Sequence, residues 1–273
     1  MTRGTLYIVA TPIGNLEDIT LRALRILKEV DVVAAEDTRH SLKLLSHYGI
    51  SKPMISYWSE REKIKATHIL DKLRSGFSVA LISDAGTPGI SDPGAVVIRG
   101  AIEEGIPVVP IPGPSAAIAA LSVSGLPTEE FTFIGFLPPK AGQRRKKLAA
   151  LKHEQRTLIC YEAPHRILET LGDMQAIFGS RQAVLAKEIT KLHEEMLRGS
   201  LSEILDMLVS RTIAGEYVLI VEGVGKEDIS IDEALEEVRV LMKKGKGRKD
   251  AVKIVAEEYG FSRKELYDKS LGG

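Results

Sequence analysis

The chain has 273 residues, of which 44% are hydrophobic and 27% are charged. This composition is typical of a globular protein that buries a sizeable core, and it excludes a disordered or fibrous chain. Lysine plus arginine and aspartate plus glutamate each total 37, so the overall charge indicates neither a general nucleic-acid binder nor an acidic-surface protein.

Cysteine usage and hydropathy limit the compartment in which the protein works. Cys160 is the only cysteine in the sequence, which excludes an internal disulfide and a cysteine-based zinc site. The apolar stretch near the start is shorter than a signal-peptide core, and no window approaches the run of about 18 apolar residues that a membrane helix needs. We therefore expect a cytoplasmic protein with no membrane association.

Residues 5–113 alternate between short apolar runs and segments with a helical period. The runs favour buried strands, and they are TLYIVAT, DVVAAED, PMISY, SVALISD and PVVPIPG. The segments between them place apolar residues three and four positions apart, as amphipathic helices do. This alternation predicts an α/β lobe with a mostly parallel, doubly wound sheet, whose ligands bind beyond the carboxyl ends of the strands.

A second alternation begins near Phe131, and its strand candidates are FTFIGF, TLICYE, QAVLAKEIT, LHEEMLRG and EYVLIVEGV. From Asp232 to Leu271 three helical segments follow one another, joined by turns that contain glycine. We therefore predict an α/β protein in three parts. These are an N-terminal α/β lobe over 1–125, a C-terminal α/β lobe over 126–225 and a small, basic helical tail over 226–273.

Glycine, proline and small polar residues follow four strands of the first lobe, in the loops ATPIGNLEDIT, AEDTRHS, SDAGTPGISDPG and PIPGPSA. Glycine lets backbone amides approach a ligand, proline stiffens a loop, and Ser, Thr and Asp supply orienting contacts. Neither GxGxxG nor GxxxxGK followed by Ser or Thr occurs. We therefore expect a ligand that no phosphate cradle holds.

These loops and three later motifs resemble the tetrapyrrole methylase superfamily, whose two α/β lobes clamp S-adenosylmethionine in the cleft between them. The resemblance rests on LYIVATPIGNLEDIT, AAEDTRH, LISDAGTPGISDPG, PIPGPSA, YEAPHRI, AKEITKLHEE with RGS, and the helical tail. It covers essentially the full chain and is closest to the branch that methylates the ribose 2′-hydroxyl of a cytidine in small-subunit ribosomal RNA. The superfamily's Gly-Asp-Pro loop is replaced here by Ser83, Asp84 and Ala85.

The resemblance implies a set of residues that bind S-adenosylmethionine. They are Pro12, Ile13, Asp84, Thr87, Gly89, Ser115, Ala116, Tyr161, Ala186 and Tyr217. Ser115 and Ala116 begin the helix after PIPGP, where free amides suit a carboxylate. No metal site is expected, since HEEML lacks the second histidine of HExxH.

Methyl transfer to a ribose hydroxyl needs a base, or a charge that stabilises the emerging alkoxide. The catalytic candidates near strand ends are Glu36, His165, Glu188 and Lys191. Structural alternatives stay open. Glu36 and Asp37 also suit a helix cap. Alternation along a strand through EITKLHEEMLRG would put Lys191, His193 and Glu195 on one face, either as functional groups or as a solvated edge.

Two basic clusters bear on the substrate, one in the second lobe and one in the tail. The candidate RNA contacts are Arg144, Arg145, Lys146, Lys147, Lys244, Lys246 and Arg248. Lysine and arginine bind RNA by neutralising its phosphates, and a solvated charged face is the alternative.

The resemblance implies S-adenosylmethionine-dependent methylation of small ribosomal subunit RNA by a homodimer. Two alternatives stay open: a methylase of a small tetrapyrrole-like substrate, and a noncatalytic RNA-binding ribosome-assembly factor. The first would not need the basic tail. The second would bind RNA independently of the cofactor and would incorporate no methyl group.

Overall fold

The computed structural model describes residues 4–58, 62–225 and 229–271. They form two five-stranded sheets with flanking helices, followed by three C-terminal helices. The segment REKIKATHILDKLRSG, whose period predicts a helix, begins at Arg61, and the predicted tail begins at residue 226; both starting points lie outside the described residues.

The first sheet contains β1 (Leu6–Val9), β2 (Val32–Ala35), β3 (Met54–Ser56), β4 (Val79–Ile82) and β5 (Val108–Ile111). Its helices are α1 (Leu21–Glu29), α2 (Thr38–His47), α3 (Glu62–Arg74) and α4 (Ala95–Glu103). The strand order is β3-β2-β4-β1-β5, and every pair is parallel. Helices α3 and α4 cover one face, and α1 and α2 cover the other. The predicted doubly wound sheet is therefore confirmed.

The second sheet contains β6 (Phe131–Phe136), β7 (Thr157–Glu162), β8 (Gln182–Lys187), β9 (Glu195–Ser200) and β10 (Tyr217–Val221), in the order β6-β7-β10-β8-β9. Only β6 and β7 pair in parallel. One face packs against α6 (Ala141–Ala149), α7 (Ile167–Phe178) and α8 (Leu201–Val209). Helix α8 is not among the predicted elements, although Ser200 and Glu203 form a capping box at its start.

Helix α5 (Ala116–Ser122) connects the two sheets physically. It follows the last strand of the first sheet, but Ala120 and Leu121 pack against Ile159 and Ile220 on the free face of the second sheet. Ile13, from the loop after β1, joins the same apolar cluster. The carboxyl-terminal edge of the first sheet therefore faces the second sheet.

The tail consists of α9 (Ile231–Lys243), α10 (Arg248–Tyr259) and α11 (Arg263–Ser270), which share their own apolar core. It contacts the segment that follows α6. Lys152 Nζ lies 2.6 Å from Glu233 Oε1, and Gln155 Nε2 donates a hydrogen bond of 3.0 Å to Glu258 O. These polar contacts fix the tail against the second lobe.

The division into three parts, 1–125, 126–225 and 226–273, stays a prediction. The boundary after residue 125 falls between α5 and β6. In the described part of the chain, no helix combines the length and the apolar character needed to cross a bilayer.

Candidate active site

A cavity of about 380 Å³ lies between the two lobes. Its first-lobe wall comes from the loops after β1 and β4 and from the start of α5, and its second-lobe wall comes from β6, β7 and β10. Six residues predicted to contact the cofactor line it: Ile13, Thr87, Ser115, Ala116, Tyr161 and Tyr217. Strand ends that are distant in sequence thus enclose one space.

Four other predicted cofactor residues lie outside this lining: Pro12, Asp84, Gly89 and Ala186. Ala186 is fully buried between the second sheet and α5. Asp84 Oδ1 accepts a hydrogen bond of 3.1 Å from Asp37 N, which connects the ends of β4 and β2. Gly89 has a φ of +80°, a conformation that favours glycine. The contacts described for Ala186 and Asp84 are structural, and cofactor contact by these four residues stays a prediction.

Tyr161 is held by both lobes. Its hydroxyl accepts a hydrogen bond of 3.3 Å from Ala117 N in α5, and Phe133 and Phe136 meet its ring edge-on at centroid distances of 5.1 and 5.6 Å. Burial raises the pKa of this phenol. The ring is therefore a fixed, neutral wall of the cavity.

Tyr217, the first residue of β10, is among the residues that line the cavity, but its ring packs in the core that the second sheet shares with α6, α7 and α8. The residue is 2% exposed, and its hydroxyl has no hydrogen-bond partner within the described residues. Burial raises the pKa of the phenol, and the nearby Ala214 backbone offsets part of that rise. Val218 and Tyr161 lie on the opposite face of the sheet, against α5, so the Tyr217 hydroxyl belongs to the core and not to the space between the lobes.

The loop between β4 and α4 folds against the loop after β1. The backbones of Thr11 and Gly86 exchange hydrogen bonds of 2.9 and 3.1 Å, and Thr11 Oγ1 donates one of 3.0 Å to Ser83 O. Gly86 has a φ of +77° and Ser91 one of +66°. Glycine adopts this region freely, whereas Ser91 is strained there, so the strained residue lies in the cavity lining itself.

A carboxylate outside the cavity holds the other end of that loop. Glu62 Oε1 accepts hydrogen bonds from Tyr57 Oη at 3.0 Å, Gly94 N at 3.0 Å and Val96 N at 3.4 Å. Glu62 thereby caps α4, whose own N-cap is a glycine without a side chain. No local sequence pattern predicts this contact, because Glu62 and Gly94 lie 32 positions apart.

Three carboxylates crowd at the ends of β2 and β4. Burial raises the pKa of Glu36, and the charges of Asp92 and Asp84 raise it further. Burial also raises the pKa of Asp92, which lines the cavity, whereas Glu36 does not. Asp37 accepts a hydrogen bond of 2.8 Å from Arg39 N as the N-cap of α2, so the helix-cap alternative applies to Asp37. Among the described residues, no cluster of three His, Cys, Asp or Glu is arranged to hold a metal ion.

The loop between β8 and β9 meets the first lobe beside the cavity. Lys191 Nζ lies 2.8 Å from Glu188 Oε1 and 3.1 Å from Glu216 Oε2, and Asn15 N donates a hydrogen bond of 3.1 Å to Thr190 Oγ1. Burial acts to lower the pKa of Lys191. The hydrogen bonds to Glu188 and Glu216 together have the larger effect, so the pKa of Lys191 is raised. The hydrogen bond from Lys191 lowers the pKa of Glu188. Lys191 is therefore a stable cation, and Glu188 is a weak base.

The strand predicted through 188–194 is wrong. β9 begins at Glu195, and Glu188 has a φ of +51°, which lies outside the strand region. Lys191 and His193 therefore lie in the preceding turns and do not share a strand face with Glu195.

His165 lies in the turn after β7. Its side chain is exposed and does not line the cavity, whereas the preceding Pro164 does. The neighbouring Glu162 and Arg166 form a structural pair at 2.6 Å, and Glu162 also accepts a hydrogen bond of 2.7 Å from Thr170 Oγ1. A catalytic role for His165 stays a prediction.

Comparison with known proteins identifies the two-lobed arrangement. Residues 5–205 match the family model described as Tetrapyrrole (Corrin/Porphyrin) Methylases. The chain belongs to this family. This tetrapyrrole methylase is 47% identical to ribosomal RNA small subunit methyltransferase I of Halalkalibacterium halodurans, over 97% of its own length and 94% of that relative. It is 49% identical to the protein of that name from Xylella fastidiosa, over 97% and 98% of the two chains.

Solved structures share the fold of this tetrapyrrole methylase at low sequence identity. Uroporphyrin-III C-methyl transferase from Thermus thermophilus, complexed with S-adenyl homocysteine, is 20% identical with a TM-score of 0.58. That match covers 80% of this chain and 97% of that one. The methyltransferase CobJ is 17% identical with a TM-score of 0.62, covering 81% and 95%. These similarities establish the fold.

The prediction that Arg144 of this tetrapyrrole methylase contacts RNA is wrong. Its side chain is 2% exposed and pairs with Asp173 at 2.7 Å and Glu169 at 3.2 Å, because it lies on the inner face of α6 with Leu148. Arg145 also pairs with Asp173, but its side chain is 66% exposed. The other two cluster residues, Lys146 and Lys147, are exposed.

The predicted RNA contacts of the tail occupy the turn between α9 and α10. Lys244 and Lys246 are exposed there, and Arg248 is half-buried at the first position of α10. Their contact with RNA stays a prediction.

Proposed function

We propose that this tetrapyrrole methylase transfers a methyl group from S-adenosylmethionine to the ribose 2′-hydroxyl of a cytidine in small-subunit ribosomal RNA. The observation that carries the proposal is similarity along nearly the whole chain, tail included, to relatives named ribosomal RNA small subunit methyltransferase I. A protein of that name from Synechocystis is 47% identical over 98% of both chains.

The cavity fits the proposed cofactor, which supplies an electrophilic methyl group when bound. A volume of about 380 Å³ lies within the range of about 300–1,000 Å³ typical of small-molecule sites. Ile13 and Tyr161 provide apolar walls for it, and Thr87 and Ser115 provide polar groups.

Two of the predicted catalytic residues suit complementary roles. Glu36 has a raised pKa, which makes it a better proton acceptor than an ordinary carboxylate. Lys191 remains charged and suits the stabilisation of a developing alkoxide. Neither Glu36 nor Lys191 lines the cavity, so these roles require the target ribose to bind beside it. Asp92, which lines the cavity and also has a raised pKa, is a further candidate base.

We propose that basic residues on the outer face of α6, in the turn between α9 and α10 and at the start of α10 contact RNA phosphates. These residues are Arg145, Lys146, Lys147, Lys244, Lys246 and Arg248. Cations on α6 and on the tail support this assignment, because lysine and arginine neutralise RNA phosphates. Arg144 is not included, since it is buried in ion pairs.

We also propose that the protein works in the cytoplasm as a homodimer. Its single cysteine supports a reducing compartment. Light scattering coupled to gel filtration tests the proposed homodimer, and a monomer mass at micromolar concentration would contradict it.

The proposed function is tested with labelled S-adenosylmethionine, purified protein and either isolated small subunits or naked ribosomal RNA. We expect label on one cytidine ribose, mapped by mass spectrometry of nuclease fragments. A variant with Lys191→Met should lower the rate without lowering RNA affinity to the same extent. Label on a base carbon or on a porphyrinoid, or RNA binding without any methyl incorporation, would overturn the proposal.

A further inference from the structure

A groove of about 300 Å³ lies between α10 and α11, and the residues that line it have no function in the proposals above. Its walls are Lys249, Val252 and Lys253 from α10, and Arg263, Lys264, Tyr267 and Asp268 from α11. Spacings of three and four residues place each set on one face of its helix. The groove is therefore distinct from the turn between α9 and α10.

The groove carries positive charge that the tail leaves unneutralised. Within the described residues, Lys249, Lys253 and Lys264 take part in no ion pair, whereas Arg263 pairs with Glu257. Asp268 is the one carboxylate among the described groove residues. Three unpaired ammonium groups on one concave surface attract a polyanion.

The floor of the groove is apolar and aromatic. Val252 and Tyr267 both belong to or pack against the tail core, which fixes their positions. An aromatic ring flanked by lysines suits an unpaired nucleotide, because the base stacks on the ring while the lysines neutralise the phosphates. A double helix exposes no base face to such a ring, so the groove favours a single strand over a duplex.

We infer that this groove binds an unpaired stretch of RNA that lies outside the target cytidine. The inference rests on the proposed function, since that function supplies RNA as the substrate. Lys152 and Gln155 hold the tail against the lobe that lines the cavity. The groove therefore has a fixed position relative to the cavity and adds RNA affinity without contacting the reacting atoms.

The test compares the full-length protein with the triple variant Lys249→Ala, Lys253→Ala and Lys264→Ala. The matched control, Lys28→Ala, Lys43→Ala and Lys63→Ala, removes the same charge from exposed first-lobe positions. Fluorescence anisotropy measures binding of a labelled single-stranded RNA of mixed sequence, and filter binding measures naked small-subunit RNA and assembled small subunits, each over a range of salt concentration. Thermal melting verifies that the variants are folded.

We expect the groove variant to bind at least tenfold more weakly and the control to bind within twofold of the wild type. The slope of log affinity against log salt should decrease by about 2, because each single-strand phosphate contact contributes about 0.7. An unchanged slope would overturn the inference. A loss seen with assembled subunits but not with naked RNA would also overturn it, since the groove would then contact a ribosomal protein.

Tyr267 tests the stacking step separately. Tyr267→Phe keeps the ring and should bind as the wild type does, whereas Tyr267→Leu should lose about tenfold in affinity without a change in salt slope. Equal binding by the two variants would contradict stacking. All these measurements need neither cofactor nor turnover, so a protein that binds RNA through the groove but incorporates no methyl group would refute the proposed function alone.

Discussion

One residue of the cavity lining departs from what a purely structural role requires. Ser91 adopts a left-handed backbone conformation with a φ of +66°, which costs free energy in the folded protein. Tyr217 is also buried without a hydrogen-bond partner, but its ring packs in the core between the second sheet and α6, α7 and α8. Strained residues cluster at binding sites, so Ser91 supports a ligand site at this cavity.

Tyr217→Phe tests whether the buried hydroxyl belongs to the core. Removing an unpaired hydroxyl from the core should leave the melting temperature unchanged or slightly raised. The affinity for S-adenosylmethionine should stay unchanged, because the ring lies on the face of the sheet that packs against α6, α7 and α8. Thermal melting and calorimetric titration measure the two effects, and a weaker affinity in Tyr217→Phe would contradict this placement.

Glu36 gives the stability a defined pH dependence. Its pKa in the folded protein is raised above the ordinary value of 4.5, first by burial and then by the charges of Asp92 and Asp84. The folded protein therefore binds more protons than the unfolded chain above that value, so stability falls as the pH rises from about 4.5 to the raised pKa.

Glu36→Gln should remove part of this fall. We expect the free energy of unfolding in urea to decrease less between about pH 4 and pH 7 in the variant than in the wild type. Glu103→Gln, on the exposed surface of α4, is the control and should keep the wild-type slope. Identical slopes for Glu36→Gln and the wild type would contradict the assigned electrostatics.

At the scale of elements, the loop between β4 and α4 is shaped from both ends. Backbone hydrogen bonds between Thr11 and Gly86 fix its start, and the Glu62 carboxylate fixes its end through Gly94 and Val96. Between these anchors, Thr87, Ile90, Ser91 and Asp92 line the cavity. The loop is therefore organised before a ligand binds, which lowers the entropy cost of binding.

Glu62→Gln should weaken both the fold and the site. Losing charge-assisted hydrogen bonds to the start of α4 should cost about 1–2 kcal/mol of stability, and the loosened loop should lower cofactor affinity about fivefold. Glu203→Gln is a matched control, because Glu203 caps α8 through Ser200 in the same way but lies away from the cavity. It should lower stability alone. Equal loss of affinity in both variants would contradict a positioning role for Glu62.

At the scale of the whole molecule, the helical tail, which carries local clusters of basic residues, has a set position beside the second lobe. The Lys152–Glu233 pair lies at that junction, and the hydrogen bond from Lys152, together with those from Ser230, lowers the pKa of Glu233 to about 2. The contribution of this carboxylate is complete above its ordinary value of 4.5 and is lost as the pH falls through about 2.

A double-mutant cycle of Lys152→Met and Glu233→Gln should give a coupling free energy below about 1 kcal/mol at neutral pH, because both side chains are more than a third exposed. Urea unfolding should show that this coupling vanishes near pH 2. The exposed pair of Arg239 and Glu236 within α9 provides the control cycle, which should leave tail docking unchanged. A coupling that persists at low pH would show that the contact is not ionic.

The sequence by itself determined the first sheet, most helices and the approximate location of the site. Buried strands separated by helices of period 3.6 leave few arrangements other than a parallel sheet, and glycine-rich loops at its carboxyl edge mark where a ligand binds. Local patterns suffice here, because each element records its own burial in its periodicity. The capping box of Ser200 and Glu203 is also a local signal, and it marks the start of α8.

Only the tertiary structure decided which residues of each motif face the cavity. Tyr161 and Ala186 lie on the same face of the second sheet, on either side of β10, yet one lines the cavity and the other is fully buried against α5. Arg144 and Lys146 are two positions apart, yet one is buried in ion pairs and the other is exposed. Such differences depend on which partner packs against each side chain. The sequence does not show which partner that is, because packing brings together residues that are tens of positions apart.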